Sequence, residues 1–458
     1  MPLISSITGS SSDHREHWIG GAWIPPKSPD VDPVSNPADG SVIGSVPRGT
    51  AADAETALAS ATAALPGWSG TPRDDRLESV RKWLRLIEAD AEFLSALISR
   101  EVGTPIALSR NVQVGLAIDI ARACVDSVSR LDDERRGNSV IRRAPAGVVA
   151  AIIPWNVPLI LTLQKVVPAL LAGCTVVLKP SELTPLHAAH LARLADLVSF
   201  TGSVRAGRSV AVAAAANLTR EHLELGGKSA SLVLDDADLT QAVAASVGQA
   251  LFNSGQACLQ WSRLIVPRRL VREAEELART VTATYVVGDP AAPDTDLGPL
   301  ISAGAKARVA RACARGMAQG ARAVVPPRDM DGLYFAPTVF SDVTMDMDLA
   351  QEEIFGPVIS ITTHDGDDDA VRLANSTRYG LHGSVWSSSD ERATSVVRRV
   401  RAGQLEISGA PFNPVAPFGG FKESGIGREC GPERIDAFCE LQALHYPVAG
   451  GRSVRAKA

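Results

Sequence analysis

A chain of 458 residues, 45% of them apolar, is long enough for about three domains with buried cores of their own. A net charge of −5 and few aromatic residues give no footing for nucleic-acid binding. The six cysteines lie scattered without a CxxC pair or a histidine spacing that suggests zinc, so no metal is expected and a reducing, cytoplasmic setting fits best.

In chain order, the opening MPLISSITGSSSDHREHW lacks a basic stretch followed by a long apolar core and reads as a frayed tail, not a signal peptide. Between residues 50 and 110, AADAETALASATAALPGW and RLESVRKWLRLIEADAEFLSALISREVG space their apolar positions by three and four, which predicts helices ended by Gly or Pro. NSVIRRAP then reads as an isolated strand. Residues 146–163, AGVVAAIIPWNVPLILTL, have the length of a membrane span, but Pro154, Asn156 and Pro158 sit in the middle. A buried strand, a turn and a helix start explain this run better, and no membrane partner is expected.

From there the pattern alternates. GVVAAIIP, TVVLKP, LVSFTG and HLELGG are near-continuous apolar runs ending at polar or Gly positions, as strands buried on both faces of a parallel sheet do. His187 and His190, in the short helix between two of them, read as a solvated helix face. Beyond Gly227, SASLVLDDAD, SRLIVP, FGPVISITTHD and HGSVWSSS predict a second set of strands, with helices over 270–281 and 370–375 between them. LQALHYPV near the C-terminus is a second isolated strand. Open edges of this kind invite pairing with each other or with another subunit.

Three segments together suggest chemistry. In FNSGQACLQWSRLIV, Cys258 follows small, flexible residues, so a substrate carbonyl can reach its thiolate; taken alone it reads rather as a buried structural thiol, and the other segments overturn that. IIPWNVP sets Asn156 at a strand end, where its amide can donate to an oxyanion. LELGGKS sets Glu224 before two glycines, where a carboxylate can act as general base for water. QEEIFGP adds the paired carboxylates Glu352 and Glu353 beside Phe355, suited to gripping a ribose diol next to a flat ring.

In this order the segments resemble the aldehyde dehydrogenase superfamily from about Trp18 to about Pro447, through NPADGSVIGSVP, EVGTP, PWNVPL, KPSELTP, FTGS, LELGGKS, NSGQAC, EEIFGPV and PFGGFKESGIGRE. The resemblance implies an α/β fold with a Rossmann-like NAD-binding domain (14–126 and 144–225), a second α/β catalytic domain (226–430), and oligomerisation strands with a C-terminal tail (127–143 and 431–458). It implies Cys258 as nucleophile, Asn156 with the Cys258 backbone N–H as oxyanion hole, and Glu224 as base. Lys165 and Glu429 would relay the proton away, or form a plain buried ion pair. NAD would lie against Ile153, Pro154, Trp155, Lys179, Glu182, Gly202, Ser203, Leu225, Gly226, Glu353 and Phe355. A carboxylate after the second sheet strand repels a 2′-phosphate, so NADP is less expected than NAD. There is no GxGxxG, which the family replaces by its PWN, KPSE and TGS segments.

The aldehyde tunnel would be Val157, Leu161, Gln164, Phe252, Phe412 and Phe418, apolar for the most part and without Arg or Lys, which leans towards aliphatic or aromatic aldehydes. A homodimer or homotetramer is expected. Two departures stand out. In the family a helix, a strand with a glycine turn and a second helix separate KPSE from FTGS, whereas here one short helix, LHAAHLARLA, makes the connection, so the nucleotide domain lacks an edge strand–helix unit. In LEISGAP, Ser408 replaces an expected Asn and Glu406 adds a charge. The shortened cofactor domain leaves two alternatives: a catalytically impaired relative with an assembly role, or a cofactor-independent thiol esterase.

Overall fold

The computed structural model describes residues 12–192, 214–215 and 220–447. The expected strand at 197–201, the end of the helix over 186–195, Gly202 and Ser203 lie outside the described residues.

The largest sheet has seven strands in the order Arg322–Val325, Thr338–Ser341, Val358–His364, Arg263–Pro267, Ala230–Val233, Gly383–Trp386 and Glu406–Ile407. Every neighbouring pair is parallel except the first. Alternate side chains of a strand face opposite ways, and both faces are covered. Leu264 and Val266 therefore join a core with the helices Leu239–Leu251 and Val271–Thr282, while Ile265 joins another with Asp367–Asn375 and Asp390–Val397. Four of these strands are the ones the apolar runs predict. Arg322–Val325, Thr338–Ser341 and Glu406–Ile407 are short runs of two to four residues that carry no such signal.

The first half of the chain packs the helices Arg73–Ala89, Ala91–Val102 and Ala117–Asp126 around Pro158–Ala172. Pro158 opens that last helix, where no backbone donor is lost, and Gly173 at φ 92° closes it. Leu159, Leu163, Val166 and Val167 are fully buried. The membrane-like run is thus the strand Val148–Ile152, a turn and this core helix, and among the described residues no helix is long and apolar enough to cross a membrane. Val148–Ile152 pairs in parallel with Thr175–Lys179.

Two expectations need correction, and a third is narrowed. HLELGG does not join a parallel sheet: Leu223–Glu224 pairs antiparallel with Gly425–Ile426, because the glycine at 425 lets the two backbones close up where a Cβ would lie 2.2 Å from the Leu223 carbonyl. Of the two pairings expected for the isolated strands, the structure has the one with each other, Ser139–Pro145 running antiparallel to Cys439–His445 over seven residue pairs, with Glu134–Arg136 on the other side. His187 is fully buried rather than solvated, since the Glu101 carboxylate accepts the Leu186 and His187 backbone N–H groups and lies 3.5 Å from its Nδ1; His190 is half-buried against Asp90.

Candidate active site

The turn before Cys258 carries three consecutive residues with positive φ. Asn253, Ser254 and Gly255 are all left-handed, at φ 51°, 57° and 73°. A Cβ at 255 would sit 2.1 Å from the Gly356 carbonyl oxygen, so only glycine passes there. Strain of this kind persists when surrounding bonds over-determine it. Here Thr104 Oγ1 donates to Asn253 Oδ1 at 2.8 Å, and the Ile301 N–H donates to Gln256 Oε1 at 3.0 Å.

The same network holds Asn156. Its backbone carbonyl accepts from Gln113 Nε2 at 2.9 Å and Asn253 Nδ2 at 3.2 Å, and its own Nδ2 donates to the Gln256 carbonyl at 3.0 Å. One amide hydrogen is therefore spent on orientation and the other is free to donate. Gln113, Thr104, Asn253 and Gln256 were not legible as site residues, because a left-handed Asn–Ser pair has no sequence signature outside its fold.

Cys258, Asn156 and Glu224 line one cavity of about 820 Å³. Burial first, then the carboxylates of Glu353, Glu224 and Glu429, push the Cys258 thiol well above its ordinary pKa. Glu224 is 5% exposed, and neither of its carboxylate oxygens has a hydrogen-bond partner among the described residues. Its pKa is likewise raised well above the carboxylate range, by burial and then by Glu429, against a lowering pull from Lys165. Lys165 and Glu429 form a close ion pair with both side chains 1% exposed. Glu429 is fixed in turn by two 2.6 Å backbone bonds with Phe418.

The cavity also takes in Pro154, Trp155, Leu225, Gly226, Glu353 and Phe355. Glu353 accepts from the Gly227 N–H at 3.0 Å, burial raises its pKa to about 7, and a Cβ on Gly226 would lie 2.3 Å from its Oε2. Phe355, left-handed at φ 59°, meets Trp155 edge-on at 5.7 Å. All six expected tunnel residues, Val157, Leu161, Gln164, Phe252, Phe412 and Phe418, line it too.

Other expected residues fall elsewhere. Glu352 is exposed and turns away to Arg378 at 2.8 Å, so only one of the two carboxylates faces the cavity. Ile153 is buried, donating to the Lys179 carbonyl, while Lys179 and Glu182 are exposed, and all three are outside the lining. An arginine also reaches the lining: Arg308, on Ala303–Ala318, is not among the expected tunnel residues and acts on Glu353. His382, Trp261 and Glu406 join the lining as well.

The sequence profile of the Aldehyde dehydrogenase family matches this chain over residues 23–197 and 194–444. The chain is 39% identical to a 3-succinoylsemialdehyde-pyridine dehydrogenase of a Pseudomonas species, covering 94% of this chain and 98% of that one. It is 35% identical to the geranial dehydrogenase of Castellaniella defragrans, with 94% and 99% covered. Among solved structures, an aldehyde dehydrogenase C mutant of Pseudomonas syringae, in complex with NAD+ and octanal, superposes with a TM-score of 0.91 at 40% identity, covering 95% of this chain and 98% of that one. A Mycobacterium tuberculosis aldehyde dehydrogenase in complex with NAD+ gives 0.91 at 35% identity, with 96% and 99% covered. The chain belongs to the aldehyde dehydrogenase family.

Proposed function

We propose that the protein oxidises an aldehyde to a carboxylic acid with NAD, through a covalent adduct on Cys258. The observation that carries this reading is the single cavity in which a thiol, a free amide hydrogen and an unpartnered buried carboxylate meet.

The Cys258 sulfur adds to the aldehyde carbon as its proton passes to Glu224 and on towards the Lys165–Glu429 pair, and the oxygen takes the negative charge in reach of the Asn156 amide and the Cys258 backbone N–H. Bound nicotinamide supplies one piece of chemistry, acceptance of the hydride from that carbon. Glu224 then removes a proton from water as the water attacks the thioester; the carbon–sulfur bond breaks and the acid leaves. Its raised pKa makes Glu224 a stronger base than a solvated carboxylate, and the Lys165–Glu429 pair lies beside it to take the proton onward.

The cofactor end fits a ribose and a flat ring. Glu353 is a half-buried acceptor beside the Phe355 ring, and glycine at 226 leaves its carboxylate room. NAD rather than NADP is supported by Glu182 just past Thr175–Lys179 and by the NAD+ complexes among the structural relatives, although an NADP-dependent Escherichia coli enzyme is also similar at 30% identity.

The connection after Lys179 we take to be shortened. The family profile matches in two stretches that meet at 194–197, and the Pseudomonas relative aligns over 472 positions although this whole chain has 458 residues. An adenine pocket lacking one wall weakens NAD binding by about one to three kcal/mol. NADH absorbance with an aldehyde panel tests the activity, and calorimetry tests the affinity. No NADH with any aldehyde contradicts the first, and tight binding at low micromolar NAD contradicts the second.

A further inference from the structure

The expected tunnel residues are mostly apolar, yet two polar side chains that the mechanism does not use share its cavity: Glu406, on the strand Glu406–Ile407, and His382, just before Gly383–Trp386. Those strands are parallel neighbours with Ser384 opposite Glu406, so the sheet register sets the two side chains close together.

The tautomer of His382 follows from its neighbour. Trp261 Nε1–H donates to His382 Nδ1 at 2.8 Å, and an indole can only donate. Nδ1 is therefore the acceptor, and the ring proton is on Nε2. That nitrogen lies 3.3 Å from Glu406 Oε1 but off the line of a formed hydrogen bond, and it is left without a partner among the described residues. The His382 side chain is 1% exposed. A buried N–H donor thus remains unsatisfied by the protein, at a cost that a ligand can relieve, and a carboxylate 18% exposed lies beside it on the same cavity wall.

We propose that His382 and Glu406 form a seat for a hydroxyl group of the substrate, so that the preferred aldehydes are hydroxylated ones. A hydroxyl is the small group that fills both needs, accepting from His382 Nε2–H while donating to Glu406. An alkyl end leaves the His382 Nε2–H unpaired, and a carboxylate end meets a like charge at Glu406. A site built to bond a hydroxyl discriminates against the analogue lacking it far more strongly than an apolar pocket discriminates by size. This inference rests on the aldehyde-oxidising reading and narrows its substrate class.

The test is kcat/KM, read by NADH formation, for chain-length-matched series of n-alkanals, ω-hydroxyalkanals and ω-carboxyalkanals, with wild type, Glu406→Gln and Glu406→Leu. At its best length the wild type should prefer the hydroxyaldehyde over the alkanal by about ten- to a hundredfold, as expected for a hydrogen bond to a charged group. Glu406→Leu should erase that preference, and Glu406→Gln, which keeps an acceptor, should retain part of it. The wild-type ratio needs no variant to fold, so equal turnover of the two series at every length overturns the proposal, as does a preference that survives Glu406→Leu. Oxidation of none of the aldehydes contradicts the functional reading itself and this inference with it. Oxidation without a hydroxyl preference contradicts this inference alone.

Discussion

Replacing Gly226 by alanine tests the cofactor end without touching a reacting atom. The φ at Gly226 is not left-handed, so alanine adds no backbone strain there. Its Cβ would lie 2.3 Å from Glu353 Oε2, 2.8 Å from Cδ and 2.9 Å from Oε1, all closer than side-chain atoms approach. The obstructing group is the end of a flexible side chain, so Glu353 yields and the fold survives. The displaced carboxylate gives up the 3.0 Å bond from the Gly227 N–H and its position beside Phe355. Losing a charge-assisted hydrogen bond to a cofactor hydroxyl costs about 1.5–3 kcal/mol, or roughly ten- to a hundredfold in NAD affinity. Calorimetric titration with NAD reads that loss, and hydrolysis of a nitrophenyl ester at Cys258 should change less because it needs no cofactor. Wild-type NAD affinity in Gly226→Ala would show that Glu353 does not hold the nicotinamide ribose.

Further outcomes follow from the same geometry. Glu224→Gln should give a single-turnover burst of NADH and then stall as thioester, so sustained wild-type turnover removes Glu224 from its role. Glu353 has a folded pKa near 7 against an ordinary 4.5, so its stabilising contribution is complete below about 4.5 and is lost as pH rises through about 7, roughly 3 kcal/mol in all. Cofactor-free Glu353→Gln should therefore gain stability over wild type between about pH 5 and about pH 8, and parallel denaturation curves would contradict this. The strand Cys439–His445 has one unpaired edge among the described residues, with Leu441 70% exposed on it, so light scattering should find at least a dimer; a 48.1 kDa monomer would contradict it.

The sequence made the chemistry legible where residue type and local grammar coincide. Cys258 just past a glycine turn, Asn156 at a strand end and Glu224 before paired glycines all reach the cavity. The buried strands of the second sheet show as apolar runs because both their faces are covered. What was hidden depends on tertiary partners. Glu224 is set by an antiparallel contact with Gly425–Ile426, two hundred residues on, which no run around HLELGG foretells. Glu352 and Glu353 are adjacent in sequence, yet alternate backbone directions send one to Arg378 and one to the cavity. His187 sits in a helix pattern that fits solvent, but Glu101 draws it inward from another helix. His382 enters the site only through the sheet register that sets its strand beside Glu406–Ile407.

The central claim is that Cys258 attacks the aldehyde, and it is tested most directly by mapping the adduct. Glu224→Gln protein is mixed with aldehyde and NAD, quenched in acid and digested, and the peptide carrying Cys258 is weighed. The account predicts an acyl group on that cysteine, and neither adduct nor NADH from the same protein with Cys258→Ala added. An acyl group on another residue, or NADH formation that persists in the double variant, would contradict it.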